Sequence, residues 1–279
     1  MAERPDLEYQ LPLLDRALEG KRIVAVLVEK PIVLRLAIEG TPQALLEGRT
    51  FAGVSRRGHF AIFELGDVQM IVAPMLAGRF LFLEEKQKAP ADTAMLWTLS
   101  DRTRLCYRDD VQMGKVYIVT KGAWDVVPGL KTIGIDVLSP AFTFAHFEKL
   151  CSKRRDQVRV FLMDKSALDA FGNAYADEVL WAAKIHPKTM VKKLGEGERR
   201  ALHEAIVSVT KEAIGTIAQR KPPLDEKLRD FLKVRNRHGE PCPRCGTKIR
   251  KAGVHGHDTF FCPECQPETR KTSIVDWRK

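Results

Sequence analysis

Leucines recur at Leu7, Leu11, Leu14 and Leu18 with polar residues between them, the spacing of one apolar face of a helix. Pro5 and Asp6 are start signals for it and Gly20 is the stop. Beyond Arg22 the pattern changes to short β-rich runs at 23–28, 32–36, 60–65, 68–72, 79–82 and 115–119. Gly48, Arg57-Gly58, Gly66-Asp67 and Gly114 punctuate them as turn residues. This stretch reads as a β-sandwich or barrel with one helix in front. Residues 121–140 are rich in Gly and Pro and read as a linker. Helical spacing then returns at 144–153, 157–163, 174–184 and 196–219, and Pro222-Pro223 closes the block. No internal repeat interrupts this order. The pattern predicts an α+β, multi-domain chain: a β-sandwich domain over 1–130, a helical domain over 131–222, and a linker with a small module over 223–279.

Composition narrows the class. In 279 residues there are 46 Lys plus Arg against 36 Asp plus Glu, a net charge of +10, with 44% hydrophobic residues. Mean hydropathy is −0.22, which excludes disordered, collagen-like and disulfide-scaffold chains. Glu3, Arg4 and Asp6 stand where a signal peptide needs an apolar core, and the best apolar run, 71–82, contains Arg79. A cytoplasmic, nucleoid-associated protein with no membrane partner is therefore expected. A pI near 9.4 points to a polyanionic partner without choosing between nucleic acid and an anionic surface.

Four of the six cysteines, Cys242, Cys245, Cys262 and Cys265, fall in a C-x2-C-x16-C-x2-C pattern. That spacing suits a tetrahedral four-thiolate zinc site, with a hairpin between the two knuckles. Two disulfides are the alternative, disfavoured in a chain without an export signal. Four thiolates leave no open position, so one structural zinc ion is expected. Residues from Lys221 on carry 14 Lys or Arg against 8 Asp or Glu, which makes this module a candidate for phosphate contact. Cys106 and Cys151 stand apart and read as buried small hydrophobes.

The stretch 164–187, DKSALDAFGNAYADEVLWAAKIHP, places Gly172-Asn173 as a tight turn before a helix. Free backbone N–H groups and the positive dipole end there suit an anion such as a DNA phosphate, and a plain capping turn is the alternative. Residues 172–178, Gly-Asn-Ala-Tyr-Ala-Asp-Glu, with Ile185-His186-Pro187, resemble the helix–two-turn–helix signature of the formamidopyrimidine-DNA glycosylase and endonuclease VIII family. The knuckles Pro-Cys-Pro-Arg-Cys-Gly and Phe-Phe-Cys-Pro-Glu-Cys-Gln follow in the family's order, and the likeness covers nearly the whole chain.

The resemblance implies a repair glycosylase with abasic-site lyase activity. Such an enzyme acts as a monomer, bends damaged duplex DNA between its two halves and flips a nucleotide out. Removal of Met1 exposes Ala2 where the family has proline, and Glu3 matches its acid–base carboxylate. An α-amine with a reference pKa near 7.7–8.0 can attack the sugar and form a Schiff base, so the departure at Ala2 changes the residue and keeps the chemistry. In the turn Arg56-Arg57-Gly58-His59, His59 replaces the family's phosphate-gripping lysine, with Arg57 a DNA contact beside it. At the finger tip His257 replaces an arginine. Both are histidines, whose charge changes near neutrality, so DNA affinity is expected to strengthen as pH falls. Asn173 retains the third phosphate grip.

Met75 matches the methionine that fills the hole left by a flipped nucleotide, and Met113 is a second apolar wedge. Val111 stands where an arginine reads the opposite base, with the Gln112 amide next to it, so an opposite-cytosine preference is not expected. The rival reading, motivated by Ala2, His59 and His257 together, is an abasic-site or lesion-binding protein that has lost catalysis. Trp277 falls in a tail that the resemblance does not reach.

Overall fold

The computed structural model describes residues 3–169 and 171–268. Ala2 and Trp277 lie outside the described residues. Two compact units form: one from residues up to Gly134 together with Ala213–Leu228, the other from Ile135–Glu212 together with residues from Arg229 on.

The first unit opens with α1 (Arg4–Leu18), whose Leu7, Leu11, Leu14 and Leu18 are all buried in one core, and it also holds the short helix α2 (Pro42–Leu46). Two sheets follow. Strands β1 (Ile23–Val28), β6 (Arg79–Leu83), β7 (Thr93–Leu99) and β8 (Arg104–Arg108) make a four-stranded sheet in the order β1-β7-β8-β6. Strands β2 (Leu34–Leu36), β3 (Gly53–Arg57), β4 (Phe60–Leu65), β5 (Val68–Ala73) and β9 (Lys115–Thr120) make a five-stranded sheet in the order β2-β9-β5-β4-β3. Only the β2–β9 pair is parallel; the others are antiparallel. The main core fills the space between the sheets, with Met95, Trp97, Leu105 and Phe80 from one and Ala61, Phe63, Met70 and Val116 from the other.

Alternate residues of the five-stranded sheet face the other way. Phe60, Ile62, Ile71 and Val119 pack there under Val127 and Leu130. Residues 121–140 are therefore not a plain linker, since part of the segment covers the second face of this sheet. That burial explains why every residue of β5 is buried rather than every other one. Strand β3 is an edge, and α1 protects it: Asp15 Oδ1 accepts the Val54 N–H at 2.6 Å. The predicted strand at 32–36 is shorter than expected. Pro31–Val33 forms a 3-10 turn, and only Leu34–Leu36 pairs.

In the second unit α3 (Phe144–Ser152), α4 (Val158–Met163), α5 (Asn173–Ala182) and the first part of α6 (Glu196–Arg220) surround Phe147, Phe161, Phe171 and Tyr175, all fully buried. The finger hairpin pairs β10 (Arg250–Val254) with β11 (His257–Phe261). His255 at φ +46 and Gly256 at φ +75 form its two-residue tip, the pair of positive φ values that a type I′ turn requires. No helix among the described residues is long and apolar enough to cross a membrane.

Candidate active site

Glu3 stands at the head of α1 and is only 3% exposed. Its backbone N–H donates to Asp6 Oδ2 at 2.8 Å, the reciprocal half of a capping box, so the helix start is held as well as shielded. One turn on, Glu8 Oε1 accepts from Arg4 Nη2 at 3.1 Å and Arg56 Nε at 3.0 Å. This shared carboxylate ties the head of α1 to the β3–β4 turn. In that turn Gly58 takes φ +61, and a Cβ there would come within 2.4 Å of Ile133 Cδ1. His59 is half-buried and packs at a tilt against Phe60, with ring centroids 4.2 Å apart. Arg57 is turned into the fold: its Nε donates to the Leu130 carbonyl at 3.1 Å and its guanidinium covers the Trp124 ring.

Two loops on the same unit carry the apolar candidates. Met75 is half-buried at φ +47, with Leu76 exposed beside it. In the second loop Val111 and Met113 are exposed, and Gln112 takes φ +57. The buried Asp109 carboxylate shapes this loop by accepting the N–H groups of Val111, Gln112 and Gly114 at 3.2, 2.9 and 2.6 Å. A strap at Pro222–Leu228 is fastened across the unit. Tyr9 and Gln10 side chains donate to the carbonyls of Pro222 and Leu224, Arg108 Nη1 donates to Asp225 Oδ2 at 2.6 Å, and Lys227 Nζ donates to the Leu76 carbonyl at 3.1 Å.

The second unit holds Asn173 and His257. Asn173 is the first residue of α5, and its Oδ1 accepts from Arg159 Nη2 at 2.8 Å. Because a guanidinium has only donors, the amide oxygen must face Arg159, which turns the NH2 donors away from it. The same Nη2 donates to the carbonyl of Asp258, next to His257 in the chain, at 3.1 Å. One guanidinium thus links two candidate phosphate grips that are distant in the chain. Arg159 is 1% exposed and is balanced by the fully buried Asp177, which also accepts from Arg235, the Thr259 hydroxyl and the Phe260 N–H. Next door, Glu178 caps the N–H groups of Lys233, Val234 and Arg235. Burial pushes the Glu178 carboxyl above its ordinary range, against the pull of those three donors. His257 is exposed and lies with His255 on the rim of a groove of about 390 Å³, floored by Arg159, Val160 and Met163.

The four finger cysteines converge, with all Sγ atoms within 4.8 Å of one another. Sγ–Sγ separations of 3.4, 3.5 and 4.0 Å lie around the about 3.8 Å edge of a tetrahedron with 2.3 Å Zn–S bonds. Hydrogen bonds from Thr247 hold the Cys245 thiol down at about 6. Burial opposes the same change at Cys242, yet Trp181 Nε1 and backbone donors keep it below the usual thiol value. These residues fit a structural zinc ion, and the four thiolates fill its coordination.

Residues 133–221 match the family model for the formamidopyrimidine-DNA glycosylase H2TH domain, and residues 1–116 match that for its N-terminal domain. Residues 239–267 match the zinc finger found in FPG and IleRS. The chain belongs to the formamidopyrimidine-DNA glycosylase family. Its relatives span nearly its whole length: the formamidopyrimidine-DNA glycosylase of Enterococcus faecalis is 31% identical over 95% of this chain and 97% of its own. That of Listeria innocua is 30% identical over 95% and 100%. Among solved structures, this family member is similar to Lactococcus lactis Fpg in complex with DNA containing an abasic site, with TM-score 0.85, 28% identity and coverage of 96% and 100%. It is likewise similar to MutM (Fpg) from Thermus thermophilus, with TM-score 0.83, 29% identity and the same coverage. The four-cysteine cluster and the order of sandwich, helical block and finger agree with the family expectation. The pairings through Arg159, Asp177 and Asp109 were not expected. Their only sequence signal is a charged residue inside an otherwise apolar run, as Arg159 is in Val-Arg-Val-Phe-Leu.

Proposed function

We propose that this protein is a DNA repair glycosylase with abasic-site lyase activity, acting as a monomer on damaged duplex DNA in a bacterial-type cytoplasm. The likeness, over 96% of the chain, to Fpg structures solved with lesion and abasic DNA carries this reading. The Ala2 amine attacks C1′ of the extruded nucleotide, and its nitrogen lone pair forms the new bond. The C1′–base bond breaks with its electron pair leaving on the base, which takes a proton from water. The Glu3 carboxylate accepts the proton that the newly bonded amine gives up and delivers it to O4′ as the sugar ring opens, which leaves the amine bonded as an iminium. Loss of the C2′ proton then expels the 3′ phosphate and cuts the strand. Burial of Glu3 at the head of α1 supports this role, because a shielded carboxylate keeps its orientation through both proton transfers. Asn173, His257 and His59 hold phosphates, Met75 and Met113 fill the gap, and Gln112 meets the opposite base; Arg57, turned into the fold, supports the turn that carries His59. The zinc keeps the finger in shape.

Borohydride trapping on a duplex with an abasic site, using protein with a native N-terminus, tests the proposal. A covalent complex, lost when Met1 is retained or Ala2 is acetylated, is expected. Tight binding with no covalent complex favours the non-catalytic binder that Ala2, His59 and His257 otherwise suggest.

A further inference from the structure

Strand β8 ends beneath both wedge-bearing loops, and Tyr107 is its last inward-facing residue. Tyr107 is fully buried in the sandwich core, yet its hydroxyl has no hydrogen-bond partner among the described residues. Leaving a buried hydroxyl unbonded costs about 1–3 kcal/mol, so an orphan in a well-packed core calls for a reason. Its position supplies one. A Cβ built on Gly114 would lie 2.0 Å from this oxygen, and one built on Gly78 would lie 2.4 Å from it. The hydroxyl is therefore pressed against the backbone of both loops, at the two glycines that permit the approach.

An acceptor waits on each side. The point that meets Tyr107 at Gly78 also meets the Pro74 carbonyl oxygen at 2.4 Å, and the point at Gly114 meets Asp109 Oδ2 at 2.8 Å. The hydroxyl is bonded to neither. Both loops are also strained, Met75 at φ +47 and Gln112 at φ +57. Such left-handed conformations in non-glycine residues cost of order 1–3 kcal/mol and gather where a segment must move. The resting state thus stores two strained turns and one orphan donor around a single oxygen.

We propose that Tyr107 is a positioning residue for nucleotide extrusion, its hydroxyl coupling the Met75 loop to the Gln112–Met113 loop. A shift of either loop that brings Pro74 O or Asp109 Oδ2 onto the hydroxyl satisfies it, so the inserted state is favoured by a bond the resting state lacks. The role rests on the assignment of Met75 and Met113 as wedges. Tyr107→Phe removes the oxygen and keeps the ring. The probe is 2-aminopurine fluorescence, followed by stopped flow, in a duplex with 2-aminopurine opposite a tetrahydrofuran abasic analogue. For Tyr107→Phe the melting temperature is expected to equal or exceed the wild type's, because the orphan group is gone. The fluorescence change is expected to slow by about three- to tenfold, the worth of one hydrogen bond. An unchanged rate overturns the proposal, and so does a slowed rate with a lowered melting temperature, which marks a packing role. The fluorescence reading needs no chemistry, so it decides the matter even if the wild-type protein traps no covalent complex. That failure would remove the lyase assignment alone.

Discussion

At the scale of single residues, the proposed site separates binding from bond-breaking. Glu3 is the residue whose loss should abolish chemistry and spare affinity. Glu3→Gln keeps the size and the buried position, so binding to a tetrahydrofuran duplex should stay within twofold. Borohydride trapping should slow by about 100-fold or more, the usual contribution of a positioned acid–base group. His257 should behave the opposite way. It is exposed on the finger hairpin beside the Arg159-linked Asp258 carbonyl, so a phosphate bound there meets an imidazole. His257→Arg places a permanent cation there and should tighten binding and steepen the salt dependence by about one phosphate contact. A titration of DNA binding at several salt concentrations reads both effects.

At the scale of elements, the runs with strong internal pattern were legible: α1, β1, β4, the four helices of the second unit and the finger hairpin. What escaped was structure imposed from outside the segment. Strand β3, Gly-Val-Ser-Arg-Arg, carries no alternation because it is an edge whose free side is met by Asp15. Strands β7 and β8 are short apolar runs beside charges, and their burial follows from pairing with each other rather than from local period. Residues 121–140 looked like a linker because Gly and Pro hide the two residues, Val127 and Leu130, that cover a sheet. The candidate site divides the same way. Its proposed reactive and phosphate-facing residues rest on likeness alone, and the supports carry no such signal, since Arg159 and Asp258 lie 99 positions apart. Asp177 is the keystone of those supports. Asp177→Ala leaves the buried Arg159 without its counter-charge, a change that should destabilise the second unit by about 3–5 kcal/mol. Denaturant melting checks this, and binding of abasic DNA should weaken with it because Asn173 and Asp258 lose their common anchor.

For the whole molecule, a surplus of ten positive charges understates how selectively it is spent. Arg159, Arg56, Arg57 and Arg108 are engaged in holding the fold, and the groups left toward a ligand include an amide and histidines. Such a protein should lose DNA affinity with salt less steeply than its net charge implies, with a log–log slope set by a few phosphate contacts. One detail of the finger then acquires a practical use. The Trp181 indole N–H donates to Cys242 Sγ at 3.4 Å, and its ring is covered by Arg244. Indole emission is sensitive to a thiolate at that range, so loss of the metal to a chelator should shift Trp181 fluorescence in step with release of DNA. The same trace should stay silent for Trp181→Phe. The molecule thus carries an intrinsic optical gauge of its own metal content, readable in solution without any added dye.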